Sequence, residues 1–360
     1  MRPFILLVLM LLSLPLAATW QTLTLADGLK HPWGLAELPD GSLLITERAG
    51  RLLHLQPDGR RQVINGLPAI AAGGQGGLLD VALHPGFSGN RLVYLSFSQP
   101  GPGGAGTAVA RARLSQQQLS DIQIIFEQVP KTHGGAHFGS RLAFDKQGYL
   151  FITTGDRYHS RDQAQSLDNH LGKIIRLHDD GRIPADNPFV DRQDALPEIW
   201  SLGHRNVQGA AIHPETGELW THEHGPQGGD EVNRIQKGHN YGWPVVTFGE
   251  EYGGGVIGEG RRKAGMTDPL WVWVPSIAPS GMLFYRGNAF SQWRNNLFVG
   301  ALAGRKLIRL ELNNDKVIGE HHLLTDLNAR IRALAQAADG GIYVLTDAGD
   351  GRLLKLQPSR

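Results

Sequence analysis

Four short polar stretches hold most of the side chains in this sequence that could do chemistry. Gly203-His-Arg205-Asn206-Val-Gln-Gly209 presents a fork of donors on a turn, and Gly73-Gly-Gln75-Gly-Gly77 holds a lone amide in a flexible one. Asn328-Ala-Arg330-Ile-Arg332 puts two arginines on one face of an extended segment, because alternate strand residues point the same way. His133-Gly-Gly-Ala-His137-Phe-Gly-Ser-Arg141 leads into a strand whose far end is Thr154-Gly-Asp156-Arg157. A histidine there can accept a proton near neutrality. Singly, a glycine-flanked histidine reads as a turn residue and an Arg-x-Arg strand as an outer face. Together they describe a site for a polyanionic ligand, with Arg205, Arg330 and Arg332 for its carboxylates or phosphates.

A fifth stretch, Trp220-Thr-His222-Glu-His224-Gly225-Pro226-Gln-Gly-Gly-Asp230-Glu231, begins as a strand and breaks at its Gly-Pro and Gly-Gly pairs. Carbonyls freed at such a corner, with two carboxylates beside them, suit calcium, which takes roughly six to eight oxygens. A glycine-rich hairpin loop with solvated acids is the equal alternative. His222 and His224 share a strand face in a zinc-like spacing that lacks a third ligand. No Gly-x-Gly-x-x-Gly lies on a strand-to-helix turn for a nicotinamide cofactor, and no Gly-x-Ser-x-Gly elbow is present. The chain also has no cysteine, which removes disulfides, thiolate ligands and a thiol nucleophile.

Residues 1–18 run from Arg2 through the apolar segment Phe4 to Leu14 and then Pro15-Leu-Ala-Ala18. The run is shorter than the ~20 residues a membrane span needs, and small residues follow where a signal peptidase cuts. A secretory signal peptide is expected, with no membrane span and a periplasmic or secreted product. Lys+Arg number 35 against 34 Asp+Glu, without a basic run interleaved with aromatics. Nucleic acid and anionic membrane are therefore poor partners.

The elements that must position these side chains are strands. A turn, a short apolar run, a glycine and a second short run return six times: Pro39–Thr46 with Gly50–Leu55, Gly89–Phe97 with Ala108–Leu114, Gln147–Thr154 with Gly172–Leu177, Thr216–Thr221 with Glu231–Ile235, Asn295–Gly300 with Arg305–Leu310, and Asp339–Thr346 with Gly351–Leu356. The second run of each pair, where Arg or Lys alternates with Leu or Ile, reads as an outer strand. Six such units with no alternating helical pattern predict an all-β fold, a six-bladed β-propeller of four-stranded antiparallel blades over residues 19–360. Two β-sandwiches in tandem are the alternative. The widest gap, Tyr241 to Asn295, carries Trp271 and Trp273, which either line a ring-shaped ligand or, as the favoured reading, pack.

From about Leu29 to Leu356 the chain resembles the pyrroloquinoline quinone (PQQ) dependent aldose sugar dehydrogenases related to soluble quinoprotein glucose dehydrogenase. The resemblance rests on many motifs in one order, among them Pro39-Asp-Gly-Ser-Leu-Leu-Ile-Thr-Glu-Arg48, Gly74-Gln-Gly-Gly-Leu78, His137-Phe-Gly-Ser-Arg-Leu142, Leu202-Gly-His-Arg-Asn206, Glu223-His-Gly-Pro-Gln227, Asn240-Tyr-Gly-Trp-Pro244, Ile277-Ala-Pro-Ser280 and Arg330-Ile-Arg332. It implies a six-bladed propeller with the quinone across the channel mouth and calcium on the carbonyls of Gly225 and Pro226. By position His137 looks like the base for the anomeric hydroxyl, oriented by Asp156. Arg205 and Asn206 would reach the quinone oxygens, Gln75 the cofactor or substrate edge, and Arg330 and Arg332 the cofactor carboxylates. A second calcium would lie near Glu231 and the Tyr241 carbonyl. The implied partners are an aldose and an external electron acceptor, on a monomer or homodimer.

The chain departs from the pattern twice. Ala303 stands where the family usually has a lysine that touches the cofactor, with Arg305 and Lys306 as nearby substitutes, and Val274 stands where glucose-type relatives have an aromatic. A broad aldose site is expected. The rival readings are a calcium-dependent propeller lactonase, which needs carboxylates and asparagines at the channel centre, and a binding module that has lost its cofactor.

Overall fold

Runs such as Leu43–Glu47 and Ile342–Thr346 are buried along their whole length, and a strand buried on both faces needs neighbours on both sides of its sheet. In this computed structural model, which describes residues 20–359, six four-stranded antiparallel sheets packed around an axis provide them. The expected signal peptide lies outside the described residues. Trp20–Leu29 (β1) precedes blade 1, formed by Pro32–Glu37, Leu43–Glu47, Arg51–Leu55 and Arg61–Ile64 (β2 to β5). Blade 2 is Leu78–Leu83, Leu92–Gly101, Gly104–Ser115 and Gln118–Glu127 (β6 to β9); blade 3 is Leu142–Phe144, Leu150–Thr153, Lys173–Leu177 and Ile199–Leu202 (β10 to β13). Blade 4 is Val207–Ile212, Leu219–Glu223, Asp230–Ile235 and Trp271–Trp273 (β14 to β17); blade 5 is Pro279–Phe284, Leu297–Ala301, Lys306–Asn313 and Lys316–Leu323 (β18 to β21). Blade 6 is Ile331–Gln336, Ile342–Thr346 and Gly351–Pro358 (β22 to β24), and it takes β1 as its fourth strand.

The first strands of the blades touch in a closed ring, β2 to β6, β10, β14, β18, β22 and back to β2. Six apolar clusters fill the six blade interfaces, from Leu44, Leu52, Val93 and Leu95 between blades 1 and 2 to Ile45, Leu53, Leu345 and Leu353 between blades 6 and 1. The propeller expectation is met, and the tandem sandwich is not. The repeated pairs of runs are the second and third strands of each blade. The run expected outermost is therefore third, and the outer strands, such as β9 and β21, are largely exposed and carry no repeated apolar signal. The gap from Tyr241 to Asn295 contains β17 and β18; Trp271 and Trp273 lie on β17 and donate to Glu320 Oε2 at 3.1 and 2.9 Å, so they pack.

First and second strands pair with a bulge in five of the six blades, which leaves backbone groups for other partners. Hydroxyls take them. Thr46 Oγ1 accepts the Gly34 N–H at 2.7 Å and donates to Leu79 O of the next blade at 2.5 Å. Ser96 does the same for Asp80 N–H and Ser140 O, and Thr153 for Arg141 N–H and Val207 O. At the axis, Arg141 donates to Asp80 Oδ1 at 3.0 Å, Gln208 O at 2.7 Å and Arg332 O at 3.1 Å, and stacks 4.0 Å from the Trp33 ring centre. Blades 1, 2, 4 and 6 are thus tied to blade 3 by one side chain. Burial pushes the Asp80 pKa up and that of Arg141 down, each partner opposing the other's shift.

Breaking a buried pair strands the partner charge. Arg141→Met is expected to cost about 3–5 kcal/mol, read as a lower urea midpoint, and Asp80→Asn in that background should return part of the loss. A midpoint unchanged by Arg141→Met would show that the axis does not depend on this guanidinium.

Candidate functional site

The segments entering the first strands and those leaving the second strands meet at one end of the channel, because the two strands run antiparallel with Pro32 opposite Glu47, Val207 opposite Glu223 and Ile331 opposite Thr346. His137 sits on the segment entering β10 with φ of 53°, a left-handed conformation imposed on a non-glycine residue only by its surroundings. Its N–H donates to Gln75 Oε1 at 2.8 Å. Its carbonyl lies against Gly155, where a Cβ would come within 2.2 Å of that oxygen. The buried Arg157 holds the carbonyls of Ala136 and Gly134 and stacks 3.5 Å over Phe138.

His137 Nδ1 meets Asp156 Oδ1 at 2.7 Å. Asp156 also accepts the Tyr158 N–H and the Trp243 Nε1–H, each at 2.7 Å, and as an acceptor it fixes the proton of the neutral ring on Nδ1. Nε2 is left as a lone-pair acceptor. Burial lowers the His137 pKa, and the hydrogen bond to Asp156 opposes that shift. A cavity of about 270 Å³ opens over the pair, lined also by Tyr158, Arg205, Pro226 and Trp243, with the Arg161–Glu251 ion pair (2.5 Å) among its walls. Arg205 is held through its backbone, whose N–H donates to Glu223 Oε2 at 2.5 Å; Glu223 Oε1 in turn meets His204 Nδ1 at 2.9 Å. The guanidinium donates to Gly225 O at 2.6 Å and His224 O at 3.2 Å, and its buried Nε has no partner among the described residues.

A second cavity of about 260 Å³ adjoins the first through the Phe138–Gly139 turn and is lined by Arg48, Gln75, Arg330, Arg332 and one carboxylate, Asp347. Arg332 is buried, donates to Gln208 Oε1 at 2.9 Å and leaves its Nε unpartnered; burial pushes its pKa down to about 10. The guanidinium of Arg205 at the first cavity and those of Arg48, Arg330 and Arg332 at the second fit an anion with several oxygen acceptors. Asn206 lies under this turn, its Oδ1 accepting the Gly139 N–H at 3.1 Å.

The calcium expectations meet two different settings. Gly225 O already accepts Arg205, and Asp230 is saturated by Gly225 N–H, Ser276 Oγ, Ile277 N–H and Ala278 N–H. A cation at Gly225 and Pro226 must share the first oxygen with the guanidinium, and Asp230 serves as a brace. Glu231 instead faces Glu223 across β15 and β16, with burial and then Glu223 raising its pKa well above the carboxylate range. A void of about 10 Å³ beside Glu223, Glu231 and Tyr241 has room for one ion or water, and the buried Glu223 with the half-buried Glu231 there fits a hard cation. No group of three His, Asp or Glu side chains around one point occurs among the described residues. The zinc spacing is not used: His224 Nε2 meets Pro279 O at 2.7 Å and His222 is buried without a partner among the described residues.

The structure therefore brings His137, Asp156 and Arg205 to the first cavity and Gln75, Arg330 and Arg332 to the second. Arg48 and Trp243 stood in the motifs without a role, and Asp347 was not singled out at all. The repeat itself carries a signal for two of them: Arg48 follows β3 and Asp347 follows β23, as Asp156 lies just beyond β11.

A glucose/sorbosone dehydrogenase family model matches residues 29–355. The aldose sugar dehydrogenase YliI of Escherichia coli is 47% identical over 348 residues, covering 95% of this chain and 94% of its own. A glucose dehydrogenase crystal structure superposes with a TM-score of 0.92 at 50% identity, covering 94% of this chain and all of that one. The PQQ-bound aldose sugar dehydrogenase of Streptomyces coelicolor superposes with a TM-score of 0.79 at 28% identity, over 95% and 99% of the two chains.

Since burial lowers the His137 pKa, its ring should charge below pH 6.5, the ordinary value. Asp156→Asn removes the group that favours the imidazolium and should move the midpoint lower still. NMR titration of the ring checks both, and a midpoint that rises in the variant would contradict the arrangement.

Proposed function

The chain belongs to the glucose/sorbosone dehydrogenase family, and we propose that it is a PQQ- and calcium-dependent dehydrogenase that oxidises aldoses at C1 to the lactone and passes electrons to an external acceptor. The observation that carries this reading is the juxtaposition of the His137–Asp156 pair with a neighbouring cavity of three guanidiniums. Arg330 and Arg332 would hold the carboxylates of PQQ, Gln75 the cofactor or substrate edge, and Arg205 and Asn206 the quinone oxygens. Calcium would take the Gly225 and Pro226 carbonyls, and a second ion Glu231 and the Tyr241 carbonyl. When bound, the quinone supplies the hydride acceptor, a redox step for which the protein has no side chain of its own.

The remaining work falls to the chain. His137 Nε2 accepts the proton of the C1 hydroxyl, and Asp156 stabilises the imidazolium that forms. The lowered His137 pKa keeps the base neutral at physiological pH. Arg205, braced by Glu223 and His204, presents fixed positive charge where negative charge develops, with no reorganisation at the moment of reaction. Trp243 and Tyr158 hold Asp156 from two sides. The channel centre, where a propeller hydrolase would collect carboxylates and asparagines, is filled by Arg141, Asp80, Gln208 and Arg332 bonded to one another. The apolar segment Phe4 to Leu14 followed by Ala17-Ala18 supports export to the periplasm or medium.

Dye reduction with an aldose should appear only when PQQ and calcium are both added to the apo protein, and a chelator should abolish it. His137→Ala should lower turnover by about 10²–10⁴-fold with PQQ binding retained. Turnover without PQQ, or unchanged turnover in the variant, would refute the reading.

A further inference from the structure

Arg48 follows β3 where Asp347 follows β23 and His224 follows β15, and all three line the second cavity. Its backbone is fixed on both sides: the N–H donates to His31 O at 3.1 Å and the carbonyl accepts the Leu78 N–H at 3.0 Å. Gly77 closes over it, since a Cβ at Gly77 would stand 1.8 Å from the Arg48 oxygen and 2.7 Å from its Cγ. The turn that delivers Gln75 therefore also constrains the base of the Arg48 side chain.

The charge around it is unbalanced. Three guanidiniums and a single carboxylate line the cavity, and Asp347 is already divided, with Oδ1 2.9 Å from His31 Nδ1 and Oδ2 3.5 and 3.7 Å from Arg332 and Arg330. Arg48 makes no ion pair within 4.0 Å among the described residues, and the one carboxylate that shares its cavity is Asp347. The cations expected to stand in for the missing lysine at Ala303 point elsewhere: Arg305 donates to Asn328 at 3.4 Å and Lys306 lies 3.4 Å from His322, and neither lines the cavity.

We propose that Arg48 is a third guanidinium for the anionic cofactor, taking a carboxylate that Ala303 cannot reach; the inference rests on the PQQ reading above. An unpaired arginine beside two others is unfavourable in the empty protein and favourable once a polycarboxylate is bound. Binding and stability should therefore move in opposite directions on its removal, which a purely structural arginine would not do.

Titrating apo protein with PQQ, followed by cofactor absorbance, and melting each apo variant test this. For Arg48→Gln we expect a Kd raised roughly tenfold to a hundredfold, an apo melting temperature that does not fall, and a weaker salt dependence of binding. Arg48→Lys should recover part of the affinity. Unchanged affinity in Arg48→Gln while the wild type binds would overturn the role of Arg48, as would lost affinity accompanied by a lowered melting temperature and no recovery with lysine. A wild type that does not bind PQQ would overturn the cofactor reading itself, and this proposal with it.

Discussion

One guanidinium at the axis sets the frame for the rest of the molecule. Arg141 extends from blade 3 and reaches the carboxylate of blade 2, carbonyls of blades 4 and 6 and the indole of blade 1. Removing a charge from water is costly unless it is paired and hydrogen-bonded, and here a bond from each of the three guanidinium nitrogens and the stacked ring supply that compensation. The blade-6 carbonyl that Arg141 holds belongs to Arg332, and four residues before Arg141 stands His137. The axis thus fixes the spacing between proton acceptor and anion cavity through a few bonds of rigid backbone. Blade 5 joins by another route, with Ser280 Oγ donating to Ile331 O at 2.5 Å and Pro279 O meeting His224.

Carboxylates at the channel mouth mostly act as braces. Asp156 gathers a ring nitrogen, a backbone amide and an indole; Asp230 gathers three amides and a hydroxyl; Glu223 fixes the amide of Arg205. Each joins segments from different parts of the chain, so loops without sheet hydrogen bonds are held as firmly as strands. That rigidity matters for charge stabilisation, since donors already aimed at the reacting atoms need no reorganisation.

The propeller was legible because the second and third strands of each blade recur as a short apolar run and a partner run that mixes Arg or Lys with Leu or Ile, as in Leu43–Glu47 and Lys173–Leu177. Of the first strands only the start of β22, at Arg330-Ile-Arg332, read as extended, and it read as an outer face. Five of the six are bulged, and they carry glycine, charge or amide where a strand pattern expects an apolar residue, at Gly34, Asp80, Gln208, Gly281 and Arg332, with Arg141 just ahead of β10. The same residues serve the channel, so the positions that break the pattern are those that build the axis. Trp243 was missed for a different reason. Its partner Asp156 is 87 positions away, and a packing tryptophan and a positioning one look alike in sequence, as Trp271 and Trp273 demonstrate from the opposite side.

Blade 6 borrows β1 for its outer edge, pairing Trp20 with Pro358 and Leu29 with Gly351. In a chain made from its N-terminus, β1 waits for β24. Until β24 arrives, β1 has no ladder, and the sixth interface, where Ile45 and Leu53 meet Leu345 and Leu353, stays open to water. Contacts of such sequence separation are slow to form, and β24 without β1 is an edge on which a second molecule can pair. The ring is in effect a clasp whose two halves, β1 and β24, are more than 300 residues apart in sequence. Loss of β1 or of β24 would undo the closure.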